Sequence, residues 1–338
     1  MTLRQPVVPT LTALFASLLT TACSDSDECE TSVCNCSSTP FEREEEASLP
    51  ASALAERGIS IGDAIALEPC RELCEEALPS WRLGDDIVGC VDGVLGSGPA
   101  GGAGQGGNHA TPVNFTCIVE VSPLCVGRRH ASVLAERKGY GQDEVAAWLG
   151  SATRDEAASV AAFELLAEEL AAHGAPLELV EAARDAADDE LRHAVLMGGL
   201  ARESGALATT PMTVQRRERS LFALAYENVV EGCVGETFAA LLNHHQALRA
   251  PLPAWREVFG EIAADELRHA ELSWRIHVWA WPRLDRFERA ELHRAMERTV
   301  DRMEHPAALT PDTRRRLGLP TPERSRRLVG LLRSRLWS

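Results

Sequence analysis

Asp189-Glu-Leu-Arg-His-Ala194 returns as Asp265-Glu-Leu-Arg-His-Ala270, the same hexapeptide 76 residues later, each time inside a stretch with the periodicity of an amphipathic helix. Within each copy Glu and His stand three residues apart, Glu190 with His193 and Glu266 with His269. Three helical steps amount to about 300° of rotation and ~4.5 Å of rise, so both side chains share one face. A carboxylate and an imidazole aimed the same way form half of a transition-metal site, the one a hard anionic oxygen and the other a neutral nitrogen. Two such helices can hold two ions.

The hexapeptides sit in the second and fourth of four predicted helices, 143–172, 177–203, 214–248 and 254–281, separated by Gly and Pro punctuation at His173–Pro176, Pro211 and Ala250–Pro253. The longest connection follows the second helix, which suits a bundle of two helical hairpins joined by a crossover. The duplication extends to the other helices. A shift of 75 residues lays Glu156, Phe163 and Leu166 on Glu231, Phe238 and Leu241. At 100° per residue Glu156 falls in an apolar stripe of Val145, Leu149, Val160, Phe163 and Leu170, and Glu231 falls among Leu224, Val234, Phe238, Leu241 and Leu242. Glu236 falls about 140° away from Glu231 on the same arithmetic. The sequence therefore nominates Glu231. A carboxylate buried on each of four apolar faces would cost several kcal/mol per ion unless a cation compensates. Glu156 and Glu190 are 34 residues apart, Glu231 and Glu266 35, so in antiparallel hairpins each single Glu returns to the level of its partner motif.

One Glu, then Glu-x-x-His, then a second Glu and a second Glu-x-x-His, is similar to the ligand pattern of the ferritin-like di-iron carboxylate proteins. The resemblance covers about 140 residues and implies a mainly α fold, a ferritin-like four-helix bundle over 142–281. It implies Glu156, Glu190, His193, Glu231, Glu266 and His269 as ligands of two iron ions, with manganese the alternative and Glu190 and Glu266 as bridges. It also implies that Asp189 and Asp265 each accept the remaining N–H of a ligand histidine on the facing helix, Asp189 from His269 and Asp265 from His193. Phrases such as Ala158-Ser-Val-Ala-Ala-Phe163 and Glu231-Gly-Cys-Val-Gly-Glu236 resemble exported ferritin-like proteins with a cysteine-rich N-terminal part.

Further residues near the motifs are weighed against plainer roles. Glu227, one turn before Glu231, is a candidate extra ligand or the lining of a polar channel; Glu236 is a lesser candidate, and Tyr226 is read as a packing residue unless it carries a radical or a proton. His245 and His277 read as structural histidines and Cys233 as a small core residue. Gly232 and Gly235 allow a helix or a substrate to come close.

The 338-residue chain has 45% hydrophobic and 25% charged residues, enough for real cores, and its net charge of -16 lacks the cationic footprint of a nucleic-acid binder. Residues 1–22 read as a signal peptide, with Arg4, a short apolar run and small residues before Cys23. The segment resembles a bacterial lipoprotein signal, implying a lipid on Cys23, a membrane anchor and a periplasm-facing location in the cell envelope; ordinary cleavage is the alternative, since Thr20 stands where Leu is usual. Cys29, Cys34, Cys36, Cys70, Cys74, Cys90, Cys117 and Cys125 make an even set, expected to form up to four disulfides of unspecified connectivity. The expected organisation is a disordered tether over 23–50, a cysteine-rich small domain over 51–136, the bundle, and a C-terminal helical tail over 283–338. That tail is rich in Arg and is read as lying either on an anionic membrane or on the acidic body of the protein. The function expected is an oxidoreductase using dioxygen or peroxide on a small-molecule substrate or reductant left unspecified, with an iron-binding or ferroxidase-type detoxification protein and a non-enzymatic envelope protein with a structural metal as alternatives. Oligomer formation is left open.

Overall fold

The computed structural model describes residues 41–50, 54, 73–74, 85–90, 96–97, 112–121, 128–134, 141–206, 213–214, 216, 218–303 and 309–337. The expectations for the signal peptide, the 23–40 part of the tether, Cys23, Cys29, Cys34, Cys36, Cys70 and Cys125 lie outside these residues. The chain divides into two compact units, one spanning Thr39–Ser122 and the other built on Pro123–Ser338.

The smaller unit is a sheet of β1 (Phe41–Pro50), β2 (Asp85–Cys90), β3 (Gly96–Ser97) and β4 (Pro112–Val121), in which β4 pairs with the other three strands. β1 runs antiparallel to β4 over its whole length, Phe41 opposite Val121 and Pro50 opposite Pro112. The disordered tether expected over 23–50 is therefore corrected: its last ten residues form a strand. Phe41-Glu-Arg-Glu-Glu-Glu-Ala-Ser-Leu49 is too acidic to suggest one alone, and the β4 ladder supplies what local propensity does not. Cys74 and Cys117 form a disulfide that closes 43 residues of chain onto β4, and Cys117 lies opposite Cys90 in the β2–β4 register. Among the described residues this is the one disulfide of the four expected.

The larger unit is mainly helical. Its elements are α1 (Glu144–Ala172), α2 (Leu177–Glu203), α3 (Leu221–Glu227), a π-helical segment (Asn228–Glu236), α4 (Thr237–Arg249), α5 (Pro253–Ala280), α6 (Arg286–Met303), α7 (Pro311–Leu317) and α8 (Pro322–Arg335). α1 packs along α2, α4 along α5, and α2 and the π segment both against α5. Local chemistry sets the ends. Asp143 Oδ1 accepts from Ala146 N at 2.9 Å to start α1, and Gly174, with φ 69°, lets the chain leave it. Pro253 takes the first position of α5, where a missing N–H costs nothing.

The third expected helix, 214–248, begins later than its pattern suggests. Val214 belongs instead to β6 (Thr213–Val214), which pairs with β5 (Val133–Leu134), and Ser220 caps α3 through Ala223 N. Arg128–Leu134, expected within the cysteine-rich domain, accordingly belongs to the helical unit. The expected cysteine-rich domain of 51–136 is corrected to Thr39–Ser122.

The C-terminal helices lie on the body. Arg316 pairs with Asp143 and Arg333 with Asp301, His245 Nδ1 donates to the Gly318 carbonyl at 2.9 Å, and Gln246 Nε2 donates to the Leu317 carbonyl at 2.9 Å. Of the two readings of the Arg-rich tail, docking on the protein is the one these contacts make. No described helix is long and apolar enough to cross a membrane.

Gly232 marks the closest approach of the π segment to α5. A Cβ there would fall 2.6 Å from Ser273 Cβ and 2.9 Å from the Arg128 guanidinium. Gly232→Ala is therefore expected to cost about 1–3 kcal/mol through overpacking. The urea midpoint should fall at constant m-value; an unchanged midpoint would mean that Ser273 yields freely.

Candidate metal centre

Two groups of buried side chains meet between α1, α2, the π segment and α5. Glu156, Glu190, His193 and Glu266 make one, and Glu190, Glu236, Glu266 and His269 the other; in each, one ligand atom per residue lies within 4.8 Å of all the others. Glu190 and Glu266 belong to both. Five of the six residues nominated from the sequence are thus brought together, and Glu231 is not.

The geometry of the hydrogen bonds says what these atoms are for. Glu156 Oε2, both oxygens of Glu190, Glu236 and Glu266, and Nδ1 of His193 and His269 are buried and make no well-aligned hydrogen bond, although Nδ1 of His269 and His193 come within 3.2 and 3.5 Å of Glu190. Leaving so many acceptors dry would cost roughly 1–3 kcal/mol each, more for ions. The other nitrogen of each imidazole is held. His193 Nε2 lies 3.0 Å from Asp265 Oδ2 and His269 Nε2 3.3 Å from Asp189 Oδ2, the crossed pairs anticipated from the sequence. Both aspartates are themselves pinned: Arg192 and Arg268 each pair with both. With Asp held on Nε2–H, each Nδ1 faces the carboxylates, where it can share a proton with them or, once deprotonated, ligate a metal.

The electrostatics fit the same reading. Burial pushes the carboxyls of Glu156 and Glu236 well above the ordinary range, reinforced by Glu190 beside the first and Glu266 beside the second. Burial would lower the His193 imidazole, but Glu156 and Glu190 outweigh it and carry the group to about 11. Burial likewise opposes the charge on Glu190, and His193 and His269 hold it down at about 2. Packed this closely, four carboxylates and two imidazoles must share protons or hold a metal cation.

Glu231 has found one already. Arg129 grips it with two hydrogen bonds, Nε to Oε2 at 2.9 Å and NH2 to Oε1 at 2.7 Å. Neither candidate group includes Glu231, nominated from the sequence, and the second takes in Glu236 from the same helix. The cause is the π turn. Residues five apart share a face where the helix closes i to i+5, so the one extra residue turns Glu236 back by about 100°, from ~140° off the ligand face to ~40°. Glu227, Glu231 and Glu236 then form a buried column along one helix. Arg219 pairs with Glu227, Arg129 with Glu231, and no basic side chain pairs with Glu236 among the described contacts.

The sequence reading missed those arginines and the segment that carries them. Arg128, fully buried, lies over the Phe163 ring at 5.3 Å and reaches Ser273 Oγ and Asn228 Oδ1 at 3.5 and 3.4 Å. His130 lies 3.3 Å from Glu169, and Ala131 N donates to Glu227 at 3.3 Å. Arg128-Arg129-His130 is a run of basic residues just before an acidic helical region, which was the available signal. Glu227, weighed as an extra ligand, serves this ion-pair network.

No family model matches this chain, and no curated protein or solved structure is detectably similar to it. The site must be read from its own residues.

The remaining candidates take plain roles. Tyr226 stacks edge-on with Phe222 and its hydroxyl accepts from Arg298 at 3.3 Å, outside both ligand groups. His277 lies between the Trp274 and Trp281 rings, where burial pushes it down to about 4; burial does the same to His245. Cys233 is a free, buried thiol whose burial raises its pKa.

The network gives a testable pH dependence. Burial raises the Glu169 carboxyl, but Arg219 and then His130 overcome it and hold the group at about 2, against an ordinary 4.5. A depressed folded pKa contributes stability that is complete above 4.5 and lost as pH falls toward 2. The stability gap between wild type and Glu169→Gln, about 1–3 kcal/mol at neutral pH, should close over that window in urea titrations at successive pH values. A gap that does not shrink between pH 4.5 and pH 2 would show that Glu169 acts through packing.

Proposed function

We propose that α1, α2, the α3–α4 helix and α5 are a ferritin-like four-helix bundle holding two metal ions, and that the protein is an exported di-iron oxidoreductase of the cell envelope. The observation that carries the reading is the column Glu227, Glu231, Glu236, in which the first two carboxylates have arginines and the third, buried with both oxygens unpartnered, faces Glu190, Glu266 and His269. Glu156 and His193 complete the set on the other side. Four carboxylates neutralise two divalent ions, and mixed oxygen and imidazole donors suit iron or manganese.

Glu156, Glu190, His193, Glu236, Glu266 and His269 would hold the two ions, and an Fe(II) pair there would supply electrons for the reduction of dioxygen or peroxide. The chain's own part is to hold and insulate. Asp189 and Asp265 fix the two imidazoles, Glu190 and Glu266 span both ligand groups, and Phe163, with its ring centroid 5.0 Å from that of His269, covers one side with hydrocarbon. Export is proposed on the signal-like N-terminus and agrees with a disulfide at Cys74–Cys117. Lipid attachment at Cys23 is part of the same proposal.

The test is anaerobic loading with Fe(II), metal analysis, and admission of air. Two irons per chain with an optical change on oxidation, and faster consumption of oxygen when a reductant is present, support the oxidoreductase. Two ions with no oxygen reactivity would assign the centre a structural role, and mineral growth beyond two irons would assign storage. Because uptake must displace protons from Glu156 and Glu236, binding should also tighten as pH rises and release protons into an unbuffered solution.

A further inference from the structure

The penultimate residue of the chain is tied to the turn that presents Glu236. Trp337, 2% exposed, donates from its indole Nε1 to the Cys233 carbonyl at 3.0 Å. The same oxygen accepts Thr237 Oγ1 at 2.8 Å, and Thr237 Oγ1 in turn accepts Trp274 Nε1 at 3.3 Å. In an α-helix the Cys233 carbonyl would take the Thr237 N–H, four residues on. Here that N–H goes to the Val234 carbonyl. Side-chain donors from residues 337 and 237 thus meet on the Cys233 carbonyl inside the π segment. Glu236 lies between Cys233 and Thr237, the two residues so held.

A π turn costs backbone hydrogen bonding and persists where its surroundings enforce it. If the segment relaxed to α geometry, Glu236 would rotate by about 100° off the ligand face. From this geometry we infer that Trp337 is a positioning residue for Glu236: the C-terminal helix acts as a clasp that keeps the π turn wound, and so sets the affinity of the metal position to which Glu236 belongs. The inference rests on the metal reading above. It gives Trp337, just beyond α8, a part in the metal site, and it predicts that loss of its indole N–H changes metal binding unequally. The position built on Glu156 and His193 has no bond to this clasp and serves as an internal control.

The experiment is a Co(II) titration of the full-length protein, followed optically and by chelator competition, in wild type, Trp337→Phe and Thr237→Val. Trp337→Phe keeps an aromatic plug and removes the N–H; Thr237→Val keeps the shape and removes the hydroxyl. Each should weaken one Co(II) by about 10- to 100-fold, the effect typical of lost outer-shell support, and leave the other within about twofold. The optical bands of the weakened ion should shift as its carboxylate withdraws. Equal weakening of both ions, or none in either variant, would overturn the clasp while leaving a two-metal centre intact. A wild-type protein that binds no Co(II) would overturn the metal reading and the clasp together.

Discussion

Glu190→Ala should take up neither metal ion, with affinity at both positions falling by more than about 100-fold, beyond the 10- to 100-fold loss that follows from disturbing an outer-shell partner. The reason is its place in the site. Glu190 is a member of both ligand groups, lies 3.2 Å from His269 Nδ1 and 3.5 Å from His193 Nδ1, and is fully buried. No neighbour can swing in to replace a carboxylate shared by both groups and packed this deeply. Glu236→Ala should behave differently, keeping the ion on the Glu156 and His193 side and losing the other. Glu231→Ala should keep both ions, since its carboxylate is spent on Arg129, but lose about 3–5 kcal/mol of stability as a buried ion pair is broken. Metal analysis and thermal denaturation on the three variants separate these outcomes. Loss of an ion from Glu231→Ala, with both retained in Glu236→Ala, would restore Glu231 as the helix-three ligand.

That one exchange shows how far the sequence reaches. Glu190, His193, Glu266 and His269 were legible because a repeated hexapeptide fixes both residue type and spacing, and three helical steps leave little freedom. Glu156 was legible because a lone carboxylate in an apolar stripe has no bland explanation. Glu236 was hidden by the assumption of 100° per residue across Asn228–Glu236, where the helix is wider. Gly232-Cys-Val-Gly235 is a run of poor helix formers and was the only local hint of that widening. The strand at Phe41–Pro50 was illegible for a related reason, because pairing with a partner 62 to 80 residues away lends an acidic segment an order its own composition does not encode. Local patterns reveal the face a helix buries; they do not reveal which cation answers each buried acid, since Arg129 reaches Glu231 from 102 residues away.

Stripping metal from the folded protein should lower its melting temperature by about 10–20 °C. The magnitude follows from linkage. Each ion present at about a hundred times its dissociation constant adds roughly 2.7 kcal/mol if it binds only the folded state, and two add about 5. In a domain of this size one kcal/mol moves the midpoint by about 2–4 °C. The physical source is the set of dry acceptors on Glu190, Glu236 and Glu266, whose desolvation folding must otherwise bear without return. The shift should be reversible on adding Fe(II) or Co(II) anaerobically, should grow as pH rises because protons on Glu156 and Glu236 compete for the same oxygens, and should vanish in Glu190→Ala. Calorimetry with and without a chelator decides it. An identical midpoint in both, with the wild-type protein correctly folded, would mean that protons alone satisfy the buried carboxylates, and the column on helix three would then be an ion-pair network that ends in a protonated acid.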